Sequence, residues 1–272
     1  MADMMLTEVT LHTGRKVMKG LEPHTAAYRG RLLGKRSMYA RLGAPPASCF
    51  QSGNFFLDMY FNNRYGCCTG AAWMEMLNRA YGIAVPEAVA MAAFKAARLL
   101  NGANILDVLN FAETYKITVN GKDYVFGPSA TIDYSDPTAI QTGISTYEGV
   151  YCGIDAGFLE KCVGDTSGWV AQVITRAMQN YDHAIWLPDY GTLDEAATYI
   201  NKERGVTVTI GSLDPQMSVA TLDTWGTLGI VPLATTIVNT VGEAHVIESF
   251  PSAPTPTPTP SPDAPPAPSG QI

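Results

Sequence analysis

The chain has 272 residues, 46% of them apolar, and a net charge of −7. That is enough apolar material for a sizeable core, and no run of eighteen apolar residues is present to span a bilayer as a helix. Five cysteines without a CxxC pair or framework spacing fit a reducing compartment, and four histidines far apart in sequence give no zinc pattern, so neither a metal nor a cofactor is expected.

Residues 1–42 hold eight Lys/Arg against three Asp/Glu, so a basic arm of +5 precedes a remainder of −12. Residues 1–48 show no sustained period and close at Gly43-Ala44-Pro45-Pro46, which predicts an extended N-terminal arm. Met1 to Thr13 lack the charged-then-apolar order of a secretion signal, so none is expected. Such an arm either packs on its own body or grips an acidic protein partner. Nucleic acid is disfavoured by the acidic body and by the lack of regularly interleaved aromatics over 15–41. Leu57, Tyr60 and Phe61 suggest a short helix before a loop at Asn62. Trp73, Met76, Leu77, Ala80 and Tyr81 then recur at helical spacing, predicting a helix from 68 to about 81 that Gly82 stops. A second helix starts at Pro86 and stops at Gly102. A third runs from 105 to about 115.

The period then changes. Asn120-Gly121 between two β-prone runs predicts a hairpin over 117–126. Asp136-Pro137 opens a short helix, 149–154 reads as a strand, and Thr166-Ser167-Gly168 opens a helix to about 180. Strands are expected at 184–187, 206–210 and 221–225. Thr192-Leu193-Asp194-Glu195 is a capping box for a helix to about 202. A last helix near 233–240 precedes a strand at 245–250. Helices first and strands later predict an α+β domain over 49–250 with its site at the junction. Residues 251–272 hold nine of the eighteen prolines and read as a Pro/Thr-rich, disordered tail.

Within Asn62-Asn63-Arg64-Tyr65-Gly66-Cys67-Cys68-Thr69-Gly70-Ala71-Ala72, Cys68 falls at the leading end of a helix. Unpaired N–H groups and the positive end of the dipole stabilise a thiolate there, and the thiolate is the nucleophile. Asn62, six residues upstream, is an amide donor able to help hold an oxyanion. His183, at the start of an apolar strand, is the candidate base, and Asp223 is the candidate orienter of its ring. His245 competes as base and Cys67 as nucleophile. A Cys67–Cys68 disulfide would silence the site. Cys49, Cys152 and Cys162 read as packing residues.

The Asn62–Ala72 stretch resembles the Asn-Asp-x-x-Gly-Asp-Cys-Thr-x-Ala-Ala segment of papain-like proteins of phages and bacteria. Asp182-His183-Ala184-Ile185 is similar to the strand start that carries the His of papain-like cysteine peptidases, and Asp223-Thr224-Trp225-Gly226 to their Asn-Ser-Trp-Gly motif. The resemblance implies a papain-like fold and a cysteine hydrolase, peptidase or amidase, with Cys68, His183, Asp223 and Asn62 as catalytic residues. Its substrate would be a peptide or amide. Asp182 stands where a small residue is usual, and a carboxylate there is expected to raise the His pKa or to meet the substrate backbone. The basic arm, the Pro/Thr tail and the unusual Cys67 support an alternative, a structural or attachment protein of a phage virion that keeps the fold with little or no catalysis. Either reading expects a cytoplasmic or virion-associated protein without a membrane segment.

Overall fold

The computed structural model describes residues 7–10, 16–19, 21, 44–50, 58–165 and 168–251. The Pro/Thr tail from 252 onward and most of the basic arm lie outside them. The described part of the arm is not simply extended. Strands β1 (Thr7–Thr10) and β2 (Lys16–Lys19) pair antiparallel, and β2 docks on the body through buried Val17 and Lys19.

Three helices form the first half. Helix α1 (Cys68–Tyr81) ends at Gly82, whose φ of 60° lets the chain turn out left-handed while Ile83 N–H closes on Asn78 O. Helix α2 (Glu87–Ala96) stops short of Gly102, because Arg98 already takes a φ of 60°. Helix α3 (Ile105–Ala112) is capped by the Asn104 side chain on Asp107 N–H. Trp73, Met74, Met76, Leu77 and Phe94 bury between these helices and the sheet. Gly70 of α1 sits against Phe94 of α2. A Cβ there would lie 2.7 Å from the Phe94 ring.

The second half is built on strands. Asn120 and Gly121, both at positive φ, make the two-residue turn between β3 (Ile117–Val119) and β4 (Lys122–Tyr124). Strand β5 (Ser129–Thr131) and helix α4 (Pro137–Tyr147) follow; Asp136 caps α4, with Pro137 opening it. Then come β6 (Val150–Asp155), β7 (Val163–Asp165), β8 (Gly168–Val170), β9 (Tyr181–Leu187) and β10 (Tyr190–Thr192). Helix α5 (Leu193–Arg204) carries the expected capping box between Thr192 and Glu195. Strands β11 (Ser218–Thr224), β12 (Thr227–Pro232) and β13 (Val241–Ile247) complete one nine-stranded sheet, ordered β5-β13-β6-β9-β11-β12-β8-β7 with β10 beside β11. All its pairs are antiparallel except β12 with β8.

Two expectations fail for tertiary reasons. No helix runs through 168–180. Instead Gly168–Val170 is β8, clamped between β7 and β12, with Trp169 Nε1–H donating to Thr227 Oγ1. Residues 206–210 form no strand; Val208 N–H is taken by Asn201 Oδ1 at the end of α5. Local propensity is a weak prior that packing overrides. Among the described residues no helix is long and apolar enough to cross a membrane.

Candidate active site

Helix α1 begins at Cys68, with Cys67 as its N-cap. No side chain caps this end, and its first turn carries no acidic residue. The N–H groups of a first turn have no acceptor within the helix, so this terminus is open to a negative charge. Cys68, Ala71, Ala72 and Glu75 recur at i, i+3, i+4 and i+7, and all four line one side of a cavity. His183, Ala184, Asp223, Thr224 and Trp225 from the sheet half line it too, with Asp58 and Asn62 from the segment that precedes the helix. The structure therefore brings Asn62, Cys68, His183 and Asp223 to one place, from segments more than a hundred residues apart.

The two adjacent thiols part company there. Cys67 turns away, its Sγ 3.3 Å from Tyr60 O, and burial, followed by the neighbouring Cys68, pushes its thiol far up. Cys68 lines the cavity. Both cysteines are free, so no disulfide silences the pair. Asn62 is held through its backbone. Its N–H bonds Met59 O, and its carbonyl accepts Met18 N–H from β2. Tyr60 and Phe61, expected to be helical, instead sit at φ 41° and 65°. Two successive side-chain-bearing residues in the left-handed region cost of order 1–3 kcal/mol each, a strain that clusters at functional sites.

His183 is fully buried and stacks on Trp225 at 4.1 Å between ring centres. Trp225, at φ 50°, and Gly226, at φ 67°, form the tight turn joining β11 to β12, which fixes the indole over the imidazole. His183 Nε2 lies 2.6 Å from Thr224 Oγ1. Asp223, expected to orient the ring, does not make that bond. Asp223 lies across from Trp186 on β9 and sits among the charges of α1, whereas Thr224, the last residue of β11, carries the hydroxyl that reaches the ring. Asp223 meets the electrostatics of α1 instead. Burial, opposed by Arg79 and aided by Asp189, pushes its carboxyl up to about 8. Glu75 is raised too, by burial first and then by Asp223.

Asp182 is also placed differently from expectation. Its carboxylate pairs with Lys19 at 3.0 Å and accepts Ala156 N–H. His183 basicity is not raised: burial and then Lys19 push it well below the ordinary range. The competing base, His245, lies in β13 against Glu243 at 3.0 Å and does not line the cavity. Cys152 and Cys162 are buried and Cys49 is half-buried; none reaches the site. Sequence reasoning missed Thr224, Glu75 and Asp58 as cavity residues. Glu75 was accessible through the helical period that starts at Cys68. Among the described residues no group of three or more His, Cys, Asp or Glu could hold a metal ion.

A cysteine at a bare helix terminus, sharing a cavity with an imidazole from a mostly antiparallel sheet, is the layout of a papain-like α+β protein. Solved structures carry the same fold. The chain is similar to xylellain, a cysteine protease from Xylella fastidiosa, at 12% identity over 89% of this chain and 98% of that one, with a TM-score of 0.50. It is similar to a structure from the mite allergen pair Blo t 1 and Der p 1, at 11% identity over 80% and 77%, TM-score 0.52. Digestive procathepsin L 3 of the Tenebrio molitor larval midgut matches at 11% over 79% and 74%, TM-score 0.50. At such identities the likeness establishes the fold, with its helical first part and mostly antiparallel second part. No protein-family model and no curated protein matches the sequence.

Proposed function

We propose that the chain is a papain-like cysteine hydrolase, a peptidase or amidase. The observation that carries this reading is the shared cavity of Cys68, His183 and Asn62. In the tautomer this reading requires, Nε2–H donates to Thr224 Oγ1 and the lone pair of the imidazole is on Nδ1, which has no hydrogen-bond partner among the described residues. Nδ1 takes the Cys68 proton and the thiolate attacks the substrate carbonyl carbon. The oxyanion is held by Asn62 Nδ2 and the Cys68 backbone N–H. The imidazolium returns the proton to the departing amine as the C–N bond breaks, leaving a thioester. Water, deprotonated at Nδ1, then attacks the thioester, releasing the acid and restoring the thiol.

A thiol-directed acylating probe tests this. It should label the wild-type chain at Cys68, and Cys68→Ala should lose the label. Equal labelling of the two would overturn the reading. One observation favours a second reading, a structural or attachment protein that keeps the fold. The cavity holds only about 10 Å³ of free space, room for about one water, and Cys68 is 1% exposed. For the hydrolase, a substrate must therefore open the cleft. The structural reading predicts a Cys68 that reacts no faster than a packing thiol. Its basic arm is partly spent within the chain, since Lys16 and Lys19 pair with Glu8 and Asp182.

A further inference from the structure

Strand β9 carries a β-bulge directly before the candidate base. Its register against β6 runs without interruption from Val150↔Leu187 to Ile154↔His183, then shifts so that Asp155 lies across from Tyr181. Asp182 is thus the extra residue. A bulge bends the strand and re-aims the neighbouring side chain, and its extra residue needs partners from outside the ladder. Asp182 has them. Its Oδ1 accepts Ala156 N–H at 3.1 Å, and its Oδ2 accepts from Asn180 Nδ2 at 3.0 Å and meets Lys19 Nζ at 3.0 Å. Its carbonyl accepts Leu21 N–H at 3.2 Å. Lys19 is 8% exposed, and the chain here is stitched to both halves: Val17 of β2 lies in the core of the sheet, and Leu21, just beyond β2, in the core of the helices. Met18 N–H holds the Asn62 carbonyl from the same strand.

We propose that Lys19 and Asp182 are positioning residues: the Lys19–Asp182 pair locks the bulge that aims His183 at Cys68 and sets the charge balance beside the imidazole. The proposal rests on His183 being the base of the reaction above. The charged or titratable groups around the ring are Cys68 and Glu75 on α1, Asp58 on the preceding loop, Asp223 on β11, Lys19 on β2 and Asp182 on β9 itself. Lys19 disfavours an imidazolium, so removing its charge shifts the ring upward.

The test follows the ring resonances of His183 against pH in the full-length chain with isotope-labelled histidine, assigned by comparison with His183→Gln. Lys19→Met should raise the titration midpoint by about one pH unit. Lys19→Arg, which keeps the cation, should stay with wild type, and Asp182→Asn should titrate no higher than wild type. Alkylation of Cys68 by iodoacetamide should slow about 10-fold or more in the Met and Asn variants, because the aim of the ring is lost, and recover in Lys19→Arg. An unmoved or lowered midpoint in Lys19→Met would overturn the proposal. So would an Arg variant shifted as far as the Met variant. Faster alkylation in Lys19→Met would mean that the pair does not aim the ring, and would overturn the proposal too. The histidine titration needs no turnover. If the midpoints move as expected while wild-type Cys68 stays inert, the hydrolase reading falls, and with it the aiming role, while the effect of Lys19 on the charge of the ring stands.

Discussion

Thr224 Oγ1 is 2.6 Å from His183 Nε2, while Asp223 Oδ1 is buried without a hydrogen-bond partner among the described residues. Thr224→Val, which keeps the shape and removes the hydroxyl, should therefore lower the rate of Cys68 acylation about 10- to 100-fold. Asp223→Asn should lower it less than about 3-fold, a split that single-turnover labelling would resolve. The same Asp223 makes a prediction for stability. Its folded-state pKa of about 8 lies above the ordinary 3.8. The native state therefore holds a proton that the unfolded chain releases, and this contribution is present below about pH 4 and lost as pH rises through about 8. Asp223→Asn removes that loss, so its advantage should grow between those limits. An advantage of about 1 kcal/mol at pH 8.5 corresponds to a Tm gain of about 2–4 °C. Calorimetry showing no gain would contradict the buried-acid picture. Cys67→Ser should leave Cys68 alkylation within about 2-fold of wild type, because its thiol faces the Tyr60 carbonyl.

Helices were more legible in the sequence than strands, and particular residues show why. Gly82 and the Thr192–Glu195 box are local signals, and both ends fall where the pattern puts them. The Asn120-Gly121 hairpin was legible for the same reason. Strand β8 was not, because its place in the sheet is fixed by pairing with β12, a partner sixty residues later, as well as with β7. Nor could spacing choose between Asp223 and Thr224, since which β11 side chain reaches His183 depends on the register of β11 against β9. The Asp182 bulge is likewise a property of two strands together. The convergence of Asn62, Cys68 and His183 followed from motif order. At this scale Gly70 is the point to probe. A Cβ placed 2.7 Å from the buried Phe94 ring overpacks the α1–α2 contact, so Gly70→Ala should cost about 1–3 kcal/mol in denaturant unfolding despite the better helix propensity of alanine.

Across the molecule, the helical half and the sheet meet along α1, and a buried ion pair crosses that seam. Arg79 Nη2 lies 2.7 Å from Asp189 Oδ1, with the side chains 5% and 0% exposed, and Tyr199 OH joins at 3.2 Å. Thr221 donates to Asp189 Oδ2. Truncating one member of such a pair leaves an uncompensated charge, so Arg79→Ala should cost about 3–5 kcal/mol by chemical denaturation. The same change takes away the cation that opposes the raised Asp223 carboxyl, so it reaches the active cavity as well. The stacking of Trp225 on His183 has an optical consequence. An indole 4.1 Å from an imidazole is quenched when the ring acquires a proton and gains a cation–π contact. Fluorescence lifetimes in a chain that keeps Trp225 as its sole tryptophan would then read the charge of the base without a label, and could follow proton transfer from the sulfur in real time.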